Sequence, residues 1–147
     1  MKHALAIPLT LLAFLAAPLS YAVEETPQSI PGGTMVTTDQ AKALHDKGAT
    51  FVDTRVAAEF VEKTIKNSIN IPFKTKFPKE SKTDPADAFD LTKLPADKGA
   101  TVVFYCVGSP CWKGYKGAVA AIKAGYKQVN WYRDGFPAWS AKGLSTQ

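Results

Sequence analysis

Residues 101–125, TVVFYCVGSPCWKGYKGAVAAIKAG, contain the pattern that decides the fold. The apolar run TVVFY at 101–105 is typical of a buried strand, and a short loop with both cysteines of the chain, Cys106 and Cys111, follows it. A helix is predicted over 111–124, and a glycine ends it. A strand, a loop and a helix in this order form the repeating unit of parallel α/β sheets.

Strands and helices also alternate on either side of this unit. Thr37 and Gln40 have the spacing of a capping box, which marks the start of the first helix, and Gly48 marks its end. The alternation is typical of an α/β fold in which a central parallel sheet has helices on both faces. The predicted strands are residues 35–36, 50–53, 68–72, 101–105 and 128–131, and the predicted helices are residues 37–47, 56–63 and 111–124.

One long segment interrupts the alternation. Residues 74–98, KTKFPKESKTDPADAFDLTKLPADK, are rich in Lys, Asp and Pro and have only scattered apolar residues. This composition predicts a long polar surface connection with a helical turn around 86–91. The sequence leaves open whether the connection covers a site, binds a partner or is an idle loop.

Residues 1–22 have the pattern of a secretory signal peptide. A short basic start precedes an apolar run at 4–19, and small residues before Ala22 predict cleavage after that residue. The run is shorter than the roughly 20 apolar residues of a membrane-spanning helix, and it contains Pro8 and Pro18. An uncleaved anchor is the alternative interpretation.

The rest of the chain, residues 23–147, has the length of one domain. The whole chain carries a net charge of +5, and its lysines are spread out rather than gathered in a stripe. This distribution indicates a solvated surface and no nucleic-acid partner, although a mild positive field would still attract small anions. We expect a monomer that is periplasmic in a Gram-negative host, or secreted, without stable insertion into a membrane.

Cys106 is the candidate nucleophile. It follows a strand at the sheet edge where ligands of open α/β sheets bind. Ser109 as N-cap and Pro110 at the first helical position predict a helix start directly after the loop. Free backbone N–H groups and the helix dipole would then hold an anion and favour the thiolate form of the cysteine.

Histidine and metal chemistry are not favoured by the sequence. His3 belongs to the predicted signal peptide and His45 to the first helix, so a cysteine-histidine dyad is not expected. Zinc usually needs four ligands, which two cysteines and one distant histidine do not supply. We therefore expect no metal ion and no organic cofactor. Trp112 fits an apolar helix face that packs in the core, but its position next to Cys111 would also allow it to line the site.

Several motifs resemble those of single-domain rhodaneses, a family of sulfurtransferases. The first group is FVDTRVAAEF at 51–60 with NSINIPF at 67–73, and the second is TVVFYC at 101–106, AAIKAGYKQV at 120–129 and DGFPAW at 134–139. The resemblance implies a rhodanese-like fold, with Cys106 in a Cys-x4-Cys-Trp loop as the carrier of a persulfide. It also implies that the backbone amides of 107–111 cradle the sulfur or a bound anion. The predicted site consists of catalytic Cys106 and Cys111 and of substrate-binding Val107, Gly108, Ser109, Trp112 and Lys113.

Other positions that match the family are interpreted as structural, namely Asp53, Arg55 and Glu59. The helical spacing of Arg55 and Glu59 predicts an ion pair between them.

The chain departs from related patterns at the cysteine loop. Trp112 stands where Cys-x5-Arg phosphatases have their arginine, which disfavours phosphatase activity because the bidentate phosphate clamp is missing. Lys113 and Lys116 are the nearest cations and are expected to substitute in part. Pro110 has no N–H, so the predicted cradle has one donor fewer.

Three interpretations of the cysteine pair remain open. In the first, Cys106 takes a sulfane sulfur from a small sulfur-containing anion or a persulfide and passes it to a thiol or to cyanide, while Cys111 resolves or gates the persulfide. In the second, the pair is a thiol-disulfide redox or sensing module. In the third, it is a structural disulfide on an inactive binding domain, although so short a loop gains little stability from closure.

Overall fold

The computed structural model describes residues 23–147, and the predicted signal peptide lies outside them. The described chain contains a five-stranded parallel sheet with the strand order β1-β5-β4-β2-β3. The strands are β1 (Thr34–Val36), β2 (Thr50–Asp53), β3 (Ile69–Asn70), β4 (Thr101–Tyr105) and β5 (Gln128–Tyr132). The helices are α1 (Thr38–Asp46), α2 (Ala57–Glu62), α3 (Trp112–Lys123) and α4 (Gly135–Ala141).

The predicted fold class is confirmed by this topology. Each predicted strand is present, and β4 lies between β2 and β5 at the centre of the sheet. The predicted capping box also forms, because the Thr37 side chain accepts from the Gln40 N–H and the Gln40 side chain accepts from the Thr37 N–H.

Helices cover both faces of the sheet, as the alternation predicts. On one face, Ala118 and Ala121 of α3 pack against a cluster that includes Val102 and Phe104. On the other face, α1 and α4 pack against Val103 and Tyr105. Successive residues of β4 thus enter opposite core layers, which is why the whole strand is apolar rather than alternating.

The start of α3 differs from the prediction. Ser109 and Pro110 lie in a turn, and Cys111, in an extended conformation, is the N-cap residue of a helix that begins at Trp112. The physical reason is tertiary, because the disulfide to Cys106 and the bond from the Cys111 N–H to the Gly108 carbonyl close a turn before the helix. The predicted capping role of Ser109 is therefore wrong.

The connection at 74–98 packs partly against the core, which its polar composition does not indicate. Phe73 and Phe89 stack with their ring centroids 5.5 Å apart, and Leu94 is buried in the core. The predicted helical turn at 86–91 is wrong, since a 3-10 turn forms instead at Leu91–Lys93, where the Asp90 side chain accepts from the Thr92 N–H. No element was predicted at α4. No helix within residues 23–147 has the length and apolar character to cross a membrane.

Candidate active site

The two cysteines meet at the carboxyl end of the central strand. Cys106 follows β4 directly, Cys111 precedes α3, and their sulfur atoms form a disulfide, with the Cα atoms 6.2 Å apart. Both residues are buried, with 5% and 8% of their surfaces exposed. The disulfide thus lies where ligands bind in open parallel sheets.

A small pocket opens beside the disulfide. Its volume is about 230 Å³. Exposed Lys79 and half-buried Lys113 lie on its wall, and Glu59 is the acidic residue of the same lining. Two cations and one anion favour small anionic ligands. Lys79 comes from the connection at 74–98, whose path the sequence did not predict. The pocket is lined by Glu59, Pro78, Lys79, Cys106, Val107, Pro110, Cys111 and Lys113.

The backbone of the loop keeps several donors available. Within residues 23–147, the N–H groups of Val107, Gly108 and Ser109 donate to no protein acceptor. The Cys111 N–H is not available, because it donates to the Gly108 carbonyl over 3.0 Å. The Trp112 N–H, at the helix start, donates to the Pro78 carbonyl over 2.9 Å. An anion would therefore meet the amides of 107–109 rather than the whole stretch 107–111.

The loop is supported from behind by the start of α4. The Phe136 N–H donates to the Cys106 carbonyl over 2.9 Å. Gly135 has a φ of +66°, and a Cβ there would lie 2.3 Å from the Cys106 carbonyl oxygen. Only glycine fits this approach without displacing the loop. Sequence analysis did not assign Gly135 to the site, although the DGFPAW motif contains it.

The Asp53–Arg55 pair fixes the end of the neighbouring strand. Arg55 Nη2 lies 2.6 Å from Asp53 Oδ2, donates to the Lys63 carbonyl over 2.7 Å, and the guanidinium lies over the Phe136 ring at 4.5 Å. Burial opposes the charge, but the hydrogen bonds and charge of Asp53 raise the pKa of Arg55. The predicted Arg55–Glu59 pair is thus wrong. Leaving the buried Asp53 carboxylate unpaired would cost more free energy than leaving Glu59 unpaired, and Glu59 lines the pocket instead.

A family model described as a rhodanese-like domain matches residues 37–142. The chain belongs to the rhodanese-like family. Solved structures with the same fold include a rhodanese-related protein from Thermoplasma volcanium, with 18% identity, a TM-score of 0.57, and coverage of 78% of this chain and 97% of that one. A thiosulfate sulfurtransferase from Pseudomonas aeruginosa has 19% identity and a TM-score of 0.58, over 78% of this chain and 20% of that one. The Alr3790 protein from Anabaena has 18% identity and a TM-score of 0.58, over 76% and 79%.

At these identities the solved structures establish the fold of this rhodanese-like domain and nothing finer. No curated protein sequence matches the chain significantly. Across residues 23–147, no group of three or more His, Cys, Asp or Glu side chains is arranged to hold a metal ion.

Beneath the cysteine loop, the rhodanese-like domain contains a buried polar network. The Tyr105 hydroxyl lies 2.7 Å from Thr64 Oγ1 and donates to Ser68 Oγ over 2.9 Å, and Thr64 Oγ1 donates to Asp53 Oδ2 over 2.8 Å. Burial, followed by the nearby Asp53 charge, raises the pKa of Tyr105 well above its ordinary value. Tyr105 therefore stays protonated and holds the end of β4 from below.

Lys116 does not serve the site as predicted. Its Nζ donates to Thr75 Oγ1 over 3.3 Å and to the carbonyls of Phe77 and Lys82. Burial lowers the pKa of Lys116. The side chain thus anchors the connection at 74–98 to α3, which leaves Lys113 as the helix cation that lines the pocket.

Trp112 takes the core position that its helix face indicates. It is 6% exposed, lies edge-on to Tyr115 with ring centroids 5.4 Å apart, and its Nε1 donates to the Glu24 carbonyl over 3.0 Å. Trp112 lines a second pocket of about 230 Å³ rather than the one beside the disulfide. The second pocket also contains Phe73, Tyr115 and Val119.

Proposed function

We propose that this rhodanese-like protein is a periplasmic or secreted sulfurtransferase in which Cys106 carries a sulfane sulfur as a persulfide. One observation carries the proposal: Cys106 lies at the end of the central strand, beside the amides of Val107, Gly108 and Ser109, which donate to no acceptor within residues 23–147. These donors would stabilise a thiolate and an anionic sulfur species. The family of the chain supports the same chemistry.

The transfer proceeds in two displacements at sulfur. The reduced Cys106 thiolate attacks the sulfane sulfur of a small anionic donor or a persulfide, the donor's S–S bond breaks, and its electron pair leaves with the remaining anion or thiolate. An acceptor thiolate or cyanide then attacks the outer sulfur of the Cys106 persulfide. The S–S bond of the persulfide breaks, and its electron pair returns to the Cys106 sulfur. Lys79 and Lys113 hold the anion at the mouth of the pocket.

Cys111 gives the site a redox gate. Its thiolate attacks the inner sulfur of the Cys106 persulfide, hydrosulfide leaves, and the Cys106–Cys111 disulfide forms. The closed disulfide supports this step, since it brings the sulfur atoms of the two residues into direct contact. A further turnover then requires two electrons from a thiol reductant.

A thiol-disulfide redox module is the second candidate, and the closed disulfide beside an open pocket favours it. In that case the pair would exchange with external thiols and carry no sulfane sulfur. The two functions differ in the cysteines that they require: sulfur transfer needs Cys106 alone, whereas thiol-disulfide exchange needs both cysteines.

The N-terminal pattern and the disulfide support the proposed location. The predicted signal peptide directs the chain out of the cytoplasm, and a disulfide persists in an oxidising compartment. We propose that the protein acts there as a monomer on small sulfur anions or persulfides and on thiol acceptors, without nucleic acid and without stable membrane insertion.

Thiocyanate formation from thiosulfate or a polysulfide and cyanide tests the proposal, with and without prior reduction. The wild type should be active only after reduction, the Cys111→Ser variant should be active without it, and the Cys106→Ser variant should be inactive. The proposal is wrong if Cys106→Ser retains the wild-type rate, or if Cys111→Ser forms no thiocyanate from either donor.

A further inference from the structure

The first residues of the described chain contact the cysteine loop and the start of α3. We call residues 24–26 the N-terminal arm. Thr26 donates twice to the Ser109 carbonyl, from its N–H over 3.0 Å and from its hydroxyl over 2.6 Å. The Glu24 carbonyl accepts from Trp112 Nε1 over 3.0 Å. Thr26 is 2% exposed, so these bonds are shielded from water.

The arm is itself held in place from two directions. Arg133 donates from Nε to Thr26 Oγ1 over 3.1 Å and from Nη2 to the Thr26 carbonyl over 2.9 Å, and it pairs with Glu25 at 3.1 Å. The Ser81 N–H donates to Glu24 Oε2 over 3.0 Å. Because Arg133 occupies an acceptor site of the Thr26 hydroxyl, the proton of that hydroxyl is directed at the loop.

The anchored carbonyl belongs to the short stretch between the two cysteines. With the disulfide closed, the covalent bond restrains both ends of 106–111. With the disulfide open, the loop gains conformational freedom, and the bonds to Ser109 oppose that gain. If the hydrogen bonds to Ser109 form fully in the disulfide state and only partly in the dithiol state, they stabilise the disulfide state more than the dithiol state.

We propose that Thr26 is a positioning residue that holds the loop in its disulfide geometry and thereby shifts the thiol-disulfide equilibrium of Cys106 and Cys111 toward the disulfide. In the reaction, two glutathione thiols reduce the disulfide to two cysteine thiols and leave as glutathione disulfide, so two electrons and two protons pass to the protein. The proposal deepens the redox gate of the proposed function, but it does not require any sulfur transfer.

The test compares Thr26→Val, which keeps the shape and removes the hydroxyl, with Thr26→Ser, which keeps the hydroxyl. Each protein is equilibrated in glutathione buffers of graded ratio, quenched with acid, alkylated and weighed intact. We expect the equilibrium constant for the disulfide to fall about threefold to tenfold in Thr26→Val, as the loss of the hydroxyl's hydrogen bond to the loop implies. Thr26→Ser should titrate close to the wild type. Thr92→Val is the matched control, because that hydroxyl bonds to Asp90 instead of the loop.

A merely structural role gives a different result. In that case, urea would unfold the oxidised and reduced Thr26→Val proteins more easily by the same amount, and the glutathione equilibrium would not move. If Thr26→Val does not fold, Arg133→Gln removes the donors that orient the hydroxyl and should shift the equilibrium in the same direction. The proposal is overturned if the folded variants titrate with the wild type. A shift together with no sulfur loading on Cys106 would overturn the proposed function and leave this inference standing.

Discussion

Cys106 has surroundings that differ from those of an inert core cysteine. The amides that follow it along the chain have no acceptor within residues 23–147, and Lys113 lines the same pocket. The Phe136 N–H bonds to its carbonyl, and Gly135 leaves room for that carbonyl. Each of these features restricts where the loop lies or which charge it tolerates. Single substitutions can therefore test separately the effect of the loop position and the effect of the charges that line the pocket.

Replacing Gly135 with alanine should displace the loop. The new Cβ would collide with the Cys106 carbonyl, and the left-handed backbone adds strain of about 1 to 2 kcal/mol. We expect a loss of sulfurtransferase rate of more than about tenfold, which is equivalent to about 1.4 kcal/mol. Gly143→Ala is the control, because Gly143 has the same φ of +66° but no atom within 4 Å of an added Cβ. Equal rates for the two variants would contradict the assigned role of Gly135.

Replacing Lys79 or Lys113 with glutamine should weaken the binding of an anionic donor. Both lysines line the pocket, and their charges act at its mouth in water, so each substitution should raise KM about twofold to fivefold. Added salt should raise the KM of the wild type toward that of the variants. Steady-state kinetics at several ionic strengths measure both effects. Lys47→Gln serves as the control, since Lys47 caps α1 away from the pocket, and an equal effect there would rule out a local cause.

At the scale of elements, the sequence predicted the strands and helices whose positions are determined by residues close together in the chain. The strands were found because apolar runs such as 101–105 end at loops, and α1 because Thr37 and Gln40 form a local capping box. The start of α3 was missed because it depends on a disulfide and on contacts from distant segments. The seven-residue α4 was missed because it contains Gly135 and Pro137, and both residue types have a low helix propensity.

The same distinction applies to the site. Cys106 could be placed from its position after a strand, whereas Pro78 and Lys79 enter the pocket from an irregular part of the connection at 74–98. The partner of Arg55 was predicted wrongly, because helical spacing does not report that Asp53 is fully buried. Long-range contacts of polar residues are thus the part that local pattern misses.

The buried hydroxyl at the end of β4 should make stability depend on alkaline pH. Burial raises the pKa of Tyr105 above 10.0, so the folded state keeps a proton that the unfolded chain loses. This contribution is complete below pH 10 and is lost as the pH rises above it, by up to about 1.4 kcal/mol per pH unit. Burial also raises the pKa of Tyr132, which adds to the loss of stability at alkaline pH. Burial lowers the pKa of Lys116, which opposes that loss.

Urea unfolding near pH 8 and above pH 10 measures this dependence. The free energy of unfolding of Tyr105→Phe should be about 1 kcal/mol lower than that of the wild type near pH 8, because the hydrogen bond from Tyr105 to Ser68 and the contact with Thr64 disappear. Its decline above pH 10 should be flatter. A decline as steep as that of the wild type would exclude Tyr105 as its source.

At the scale of the whole molecule, we expect the fold not to depend on the disulfide. The sheet joins two core layers through β4, and the disulfide closes only a five-residue separation at one edge. The chain-entropy model gives about 2 kcal/mol for so short a loop. We therefore expect the disulfide to open on reduction without unfolding of the domain.

Reduction should leave the domain folded and destabilise it by about 2 kcal/mol or less. Urea unfolding of the wild type with and without reductant measures the difference. The double variant Cys106→Ser, Cys111→Ser controls for effects of the reductant and should not respond to it. Unfolding of the reduced wild type without denaturant would mean that the disulfide is a structural requirement.

Intact-mass spectrometry of the reduced protein after exposure to thiosulfate or a polysulfide tests persulfide transfer most directly. The wild type and the Cys106→Ser and Cys111→Ser variants are compared. One added sulfur atom should require Cys106, disappear on addition of cyanide, and last longest in Cys111→Ser. No added sulfur in any of the three proteins, with only the loss of two hydrogens when the wild type is oxidised, would contradict sulfur transfer.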